Sequence, residues 1–115
     1  MGNILIIGGG PAGISAALYA VRGGLETTVI ATGTSSLLKA KEIENYYGYE
    51  NPISGQELLD MGVKQAKRLG VTFLSEEVVG LSYTEKLTVT TKENQYMADA
   101  VIIAFGFRPS PPTWL

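Results

Sequence analysis

Ile4-Leu5-Ile6-Ile7-Gly8-Gly9-Gly10-Pro11-Ala12-Gly13 is an apolar run that breaks into glycines and then starts a helix. Asn3 to Ile7 shows no polar alternation, which is how a parallel strand buried on both faces reads. Gly8, Gly10 and Gly13 fit the spacing G-x-G-x-x-G. Alone that pattern is weak, but here it follows a strand, opens a helix and sits in a βαβ unit of the expected size. In such a unit Gly8 permits the tight turn, Gly10 lets a pyrophosphate approach the backbone, and Gly13 lets helix and strand pack closely. The helix N-terminus adds free N–H donors and a positive dipole end for phosphate charge. The residues therefore read as a dinucleotide-binding βαβ unit. The alternative is a glycine-rich turn without a ligand, but spaced glycines cost backbone entropy unless something uses them.

Working outward, Pro11 suits the first turn of a helix, and Ile14, Ala17, Leu18 and Val21 recur at helical spacing. Ala16, Ala17 and Ala20 keep that helix slim against a sheet, and Gly23-Gly24 stop it. Thr27 to Ala31 reads as a second buried strand. Its end, Ile30-Ala31-Thr32-Gly33, lacks the carboxylate that holds a ribose in a plain NAD site, and Thr32 offers a hydroxyl instead. An NADP site would want an Arg there, whereas the first basic residue beyond is Lys39. Thr32 to Gly48 reads as a long loop with a helical turn near Lys41–Glu44; loops of this length are often functional.

Ser54-Gly55-Gln56-Glu57 is a capping box, which predicts a helix from Gly55 to about Leu69 with Leu58, Leu59, Ala66 and Leu69 inward. Val71 to Leu74 is a third parallel strand. Glu77–Tyr83, Lys86–Lys92 and Tyr96–Ala98 are short segments of a different kind, with Leu87, Val89 and Thr91 alternating in the manner of a half-exposed antiparallel strand. Ala100 to Phe105 returns to a continuous buried-strand run. Arg108-Pro109-Ser110-Pro111-Pro112 continues neither helix nor central strand, so residues 107–115 read as an exit linker from a domain spanning 1–106.

The chain has 115 residues, suited to one domain, with a net charge of -2. That charge argues against nucleic acid or an anionic membrane as a main partner. No apolar stretch is long enough to span a bilayer, and no charged n-region precedes an apolar run, so a cytoplasmic location is the default expectation. The sequence holds no Cys and no His. A disulfide, a Cys/His metal site, a thiol nucleophile and a histidine base are excluded within it, leaving chemistry to a cofactor, to carboxylates or hydroxyls, or to another chain. Glu42 and Glu44 read as a solvated loop rather than an acid/base pair. Tyr46, Tyr47 and Tyr49 could stack on a ring ligand, with interior packing the preferred reading. Lys64, Lys67 and Arg68 read as a helix's wet face, and Trp114 as exposed.

Beyond the glycine loop, an ordered series of segments resembles the FAD domain of low-molecular-weight thioredoxin reductases. The series comprises Val29-Ile30-Ala31-Thr32-Gly33, Glu42-Ile43-Glu44-Asn45-Tyr46-Tyr47-Gly48, Ile53-Ser54-Gly55-Gln56-Glu57-Leu58, Gln65-Ala66 through Gly70-Val71, and Ala100-Val101-Ile102-Ile103-Ala104-Phe105-Gly106. The resemblance implies an α/β, Rossmann-like FAD/NAD(P)-binding domain: a parallel sheet with an antiparallel β-meander crossover, incomplete at its C-terminal side. It implies that Gly8, Gly9, Gly10, Pro11, Ala12 and Gly13 cradle the FAD pyrophosphate. Ala31, Thr32 and Gly33 would lie near the adenosine ribose, Asn45 toward the flavin, and Val78 against the adenine through its backbone. Ala104, Phe105 and Gly106 would pass close to the cofactor.

This chain departs from the family at two places within the domain. Ser35-Ser36-Leu37-Leu38 stands where Gly-Gly-Gln-Leu is usual, so no Gln is there to contact the flavin, and Phe105 replaces a Thr. In the family an NADPH domain with a Cys-x-x-Cys pair follows, and a later Gly-Asp segment completes the FAD site; neither is in this sequence. The resemblance thus implies the FAD-binding part of a flavin-dependent disulfide oxidoreductase. Electrons would pass from a reduced nicotinamide or other donor through FAD to a thioredoxin-like disulfide, NADPH binding elsewhere in the parent enzyme and homodimers being compatible. This chain alone is expected to be inactive. The alternative is a dinucleotide-binding module or fragment without turnover.

Overall fold

The computed structural model describes residues 2–33, 35–106 and 112–115. Its element order is β1 (Asn3–Ile7), α1 (Pro11–Arg22), β2 (Glu26–Ala31), a 3-10 turn (Ser36–Lys39), α2 (Gly55–Arg68), β3 (Thr72–Ser75), β4 (Val78–Tyr83), β5 (Leu87–Thr91), β6 (Gln95–Ala98) and β7 (Ala100–Ile103). β1, β2, β3 and β7 form a parallel sheet in the order β3-β2-β1-β7. The remaining strands make an antiparallel three-stranded meander, β4-β5-β6.

The unalternating sequence of β1 follows from its two-sided burial. Ile4 and Ile6 face one core with Ile14 and Ala17 of α1, Ala66 of α2 and Val29 of β2. Leu5 and Ile7 face a second core with Ile30, Val89 and Ala98, on the meander side. The sheet is therefore the middle of three layers, helices on one face and meander on the other, and burial of apolar surface on both faces is the main drive for this arrangement. The capping box at α2 is complete: the Ser54 hydroxyl accepts the Glu57 N–H at 3.1 Å, and a Glu57 carboxylate oxygen accepts the Ser54 N–H at 3.4 Å.

The meander is fastened to the sheet near both of its ends. The Asn3 N–H donates to Asp99 Oδ2 at 3.0 Å, and the Asn3 side chain donates to the Met97 carbonyl at 2.9 Å. That N–H and the Lys86 ammonium, 3.3 Å from Asp99, hold the Asp99 carboxyl below its ordinary value. The second fastening, at Glu76, belongs to the cleft described below.

Three expectations are corrected. The helical turn sits at Ser36–Lys39, not near Lys41–Glu44, because the Ser35 hydroxyl accepts the Leu37 N–H at 3.2 Å and starts it there. Ile43, two residues past Lys41, instead exchanges backbone hydrogen bonds of 2.7 and 3.1 Å with Ile53. Among the described residues β7 pairs with β1 alone, and Ile102 and Ile103, expected to be buried, are 36% and 39% exposed. The helical layer packs on β1, β2 and β3. Trp114 is half-buried, packed edge-on against Phe105 with ring centres 6.3 Å apart. Of the expected exit linker, residues 107–111 lie outside the described residues.

Candidate functional site

In an open parallel sheet, ligands bind at the carboxyl ends of the strands, where the strand order reverses. Here the chain builds outward from β1 to β2 to β3, then returns to place β7 on the other side of β1. A cleft of about 410 Å³ opens there. Its walls come from the ends of β1, β2, β3 and β7: Ile7 and Gly8, Ala31 and Thr32, Glu76 to Val78, and Ala104 to Gly106.

The floor is the glycine loop. Gly8 has a φ of 123°, a left-handed conformation that disfavours side chains. A methyl on Gly8 would overlap the Ala104 carbonyl and stand 2.8 Å from the Phe105 Cα, so this position also lets β1 and the chain after β7 close together. The Ala104 N–H completes that contact on the Ile7 carbonyl at 2.7 Å. A methyl on Gly9 would lie 2.8 Å from the Ala31 Cβ, so the loop packs against the end of β2 only because both residues are small. Gly10 caps α1 without a side-chain hydrogen bond, and the first turn of α1 holds no acidic residue. The N-terminal donors of α1, beside Pro11 and Ala12 in the cleft wall, therefore keep their affinity for an anion.

Of the residues singled out in sequence, Gly8, Gly9, Gly10, Pro11, Ala12, Ala31, Thr32, Val78, Ala104, Phe105 and Gly106 line this cleft. Gly13 is buried behind it, against Gly8 and Ile6. Gly33 and Asn45 are exposed and outside the cleft lining. The tyrosines do not pack inside, as preferred in sequence: Tyr46, Tyr47 and Tyr49 are 52%, 97% and 37% exposed. Tyr46 and Tyr49 meet edge to face at 5.7 Å and border a separate groove with α1 and α2.

Ser35 and Ser36, in the segment that stands where the family has Gly-Gly-Gln-Leu, also line the cleft, as do Lys39, Glu76, Glu77 and Trp114, to which sequence reasoning gave no ligand role. Glu76 is half-buried, and its carboxylate accepts hydrogen bonds from the Thr91 hydroxyl at 2.7 Å and the Tyr96 hydroxyl at 2.6 Å. Those two donors hold its carboxyl below the ordinary value, and the same bond to Glu76 holds the Tyr96 phenol above its own. The group ties β5 and β6 to the end of β3 and so sets the wall on which Val78 stands. Thr91 Oγ1 also accepts the Asn94 N–H at 2.9 Å and the Glu93 N–H at 3.2 Å, closing the hairpin turn.

This tie has a pH signature. The folded carboxyl titrates below the ordinary glutamate value of 4.5, so its stabilisation is fully present above that pH and is lost as pH falls toward the lowered value. In urea titrations repeated from neutral pH downward, the unaltered chain is expected to exceed Glu76→Gln in stability. The gap should narrow below about pH 4.5. A gap independent of pH would show that the ionised carboxylate contributes nothing.

Among the described residues no cluster of His, Cys, Asp and Glu could hold a metal ion, and no helix is long and apolar enough to cross a membrane.

Comparison with known proteins places this cleft in context. The chain is 44% identical over 109 residues to a bifunctional thioredoxin reductase/thioredoxin of Mycobacterium leprae, covering 90% of this chain and 24% of that protein. It is 39% identical to a thioredoxin reductase of Buchnera aphidicola, covering 93% of this chain and 34% of that protein. The chain thus spans about a quarter to a third of the length of the curated relatives it matches. Among solved structures, the atypical thioredoxin reductase TRi from Desulfovibrio vulgaris Hildenborough superposes with a TM-score of 0.87 at 33% identity. That match covers 97% of this chain and 38% of the other. A thioredoxin reductase from Gloeobacter violaceus gives 0.86 at 32% identity, covering 91% and 36%. The pyridine nucleotide-disulphide oxidoreductase family matches over residues 2–114, and the chain belongs to that family.

Proposed function

We propose that this cleft holds FAD, and that the chain is the flavin-binding part of a thioredoxin-reductase-like disulfide oxidoreductase. The observation that carries the reading is convergence. Four segments far apart in sequence, at 8–12, 31–32, 76–78 and 104–106, form one cleft at the reversal of strand order. The cradle fits such a cofactor: a bare glycine loop, an uncapped helix N-terminus, and no carboxylate at the end of β2.

On this reading the Gly8–Ala12 backbone holds the diphosphate with the donors of α1, and Gly13 keeps α1 close enough to present them. Ala31, Thr32 and Gly33 take the ribose side, and Val78 the adenine. Ala104, Phe105 and Gly106 run alongside, and exposed Asn45 is assigned to the flavin end. When bound, FAD supplies the hydride and electron transfer, while the protein supplies binding, orientation and electrostatics. With no Cys or His, this chain contributes neither a redox disulfide nor an imidazole base. NADPH, a thioredoxin-like disulfide substrate, a homodimeric state and a cytoplasmic location are proposed for the parent enzyme by analogy with the relatives named above. Residues 1–106 are proposed as the binding domain and 107–115 as its exit.

A second reading, a dinucleotide-binding module without turnover, is favoured by the same absence of Cys and His. The purified chain is expected to show a visible flavin spectrum after incubation with FAD and removal of excess, and to bind FAD more tightly than NADPH. Binding of ADP or NADPH without FAD would select the second reading. Binding of none of the three would overturn both.

A further inference from the structure

We infer that Lys39 is a binding residue of the cleft, its ammonium engaging the diphosphate of an adenine dinucleotide. The inference rests on the dinucleotide reading above and deepens it by adding a side-chain cation to a site otherwise built from backbone.

The argument begins with charge. Among the described residues lining the cleft, Lys39 is the one cation, and Glu76 and Glu77 are the acids. Both acids are engaged elsewhere. Glu76 accepts from Thr91 and Tyr96, and Glu77 pairs with Lys92 at 3.5 Å. Lys39 has no carboxylate within 4.0 Å among the described residues. Lys39 and the N-terminus of α1, the positive end of a dipole, line the same cleft, so an anion held there would be attracted by both.

Position supports the same conclusion. Lys39 ends a short turn whose neighbours on both sides are fixed. The Ala40 carbonyl accepts the Gly55 N–H at 2.8 Å, and the Leu37 carbonyl lies directly against Gly55. At the start of the turn, the Ser35 hydroxyl stands 3.0 Å from where a Gly10 side chain would begin, so the turn rests on the glycine loop. The Ser35 oxygen accepts from Leu37, and its own proton has no acceptor among the described residues. The turn thus brings a free hydroxyl donor against Gly10 and sets Lys39, on a fixed backbone, in the wall of the same cleft. Holding such donors in place before binding reduces the entropy lost when the ligand arrives.

The test is equilibrium binding of FAD and of ADP, which share the diphosphate and differ in the flavin half, to the full chain and to Lys39→Gln. An exposed ion pair is worth up to about 1 kcal/mol, or about fivefold in Kd. Both ligands are expected to weaken by about that factor, with a flatter dependence on salt, and Lys39→Arg should restore most of the affinity. Lys64→Gln, an equal change of net charge on the outer face of α2, should leave both constants unchanged. Equal binding by the unaltered chain and Lys39→Gln would overturn the inference while leaving the proposed function standing. So would loss for FAD but not ADP, which would put Lys39 at the flavin, or equal loss from Lys64→Gln. Binding of neither ligand by the unaltered chain would overturn the inference together with the function on which it rests.

Discussion

Gly13→Ala is expected to destabilise the chain by about 2–3 kcal/mol and to weaken ADP binding at least about tenfold. Gly13 lies in the first turn of α1 and is buried. A methyl there would overlap the Gly8 carbonyl oxygen, stand 2.9 Å from the Gly8 carbonyl carbon, and lie 3.4 Å from Ile6 Cγ2. The obstacle is backbone in a loop already closed on Ile30 by a 3.0 Å hydrogen bond from the Gly8 N–H, so no side chain can rotate aside. The helix must lift instead. That opens the contact of Ile14 and Ala17 with Ile4 and Ile6, and moves the α1 donors from the glycine loop. Against this, alanine's better helix propensity returns about 1 kcal/mol. The clash prevails because it displaces a whole core layer. Urea unfolding and ADP titration read the two effects separately. A midpoint at or above that of the unaltered chain would show that α1 is not held by this contact.

The second large effect concerns Gly55, the first residue of α2. Helix propensity alone says that Gly55→Ala should stabilise. The structure reverses the sign: a methyl would overlap the Leu37 carbonyl oxygen and stand 2.8 Å from the Leu37 carbonyl carbon and 3.1 Å from the Ala40 oxygen. The expected outcome is a loss of about 1–3 kcal/mol, seen as a fall of several degrees in Tm. Weaker FAD binding should accompany it, because the turn carrying Ser35 and Lys39 is displaced from the glycine loop. Stabilisation would mean that this turn yields freely and is not part of a preset site.

These two glycines show what was readable in advance. Gly13 belongs to a spacing whose meaning depends on neighbours in sequence: a strand before it and a helix after it. Its role was therefore legible. In sequence Gly55 belongs to a capping box and to a family-like segment without a stated reason for the glycine, and its constraint comes from a carbonyl 18 residues earlier. The candidate site divides in the same way. Gly8 to Ala12 and Ala31-Thr32 stand at strand ends that hydrophobic pattern locates. Lys39 and Glu76 face the cleft because a loop and a meander fold back over it, and no periodicity reports that.

By itself the sequence determined the β1–α1–β2 unit, the start of α2, the change to short segments of antiparallel pattern after β3, and the exclusion of Cys and His chemistry. Those features rest on local physics: apolar period, glycine placement, capping residues and the absence of whole residue types. Only the tertiary structure decided that Ile102 and Ile103 of β7 are part-exposed, that the turn after β2 forms at Ser36–Lys39, that the tyrosines stand exposed, and that Lys39 is, among the described residues, the cleft cation with no carboxylate within reach. Burial and charge balance depend on which layer covers a residue and which partners reach it. For these residues the partners are supplied by segments tens of positions away, and only the folded chain brings them together.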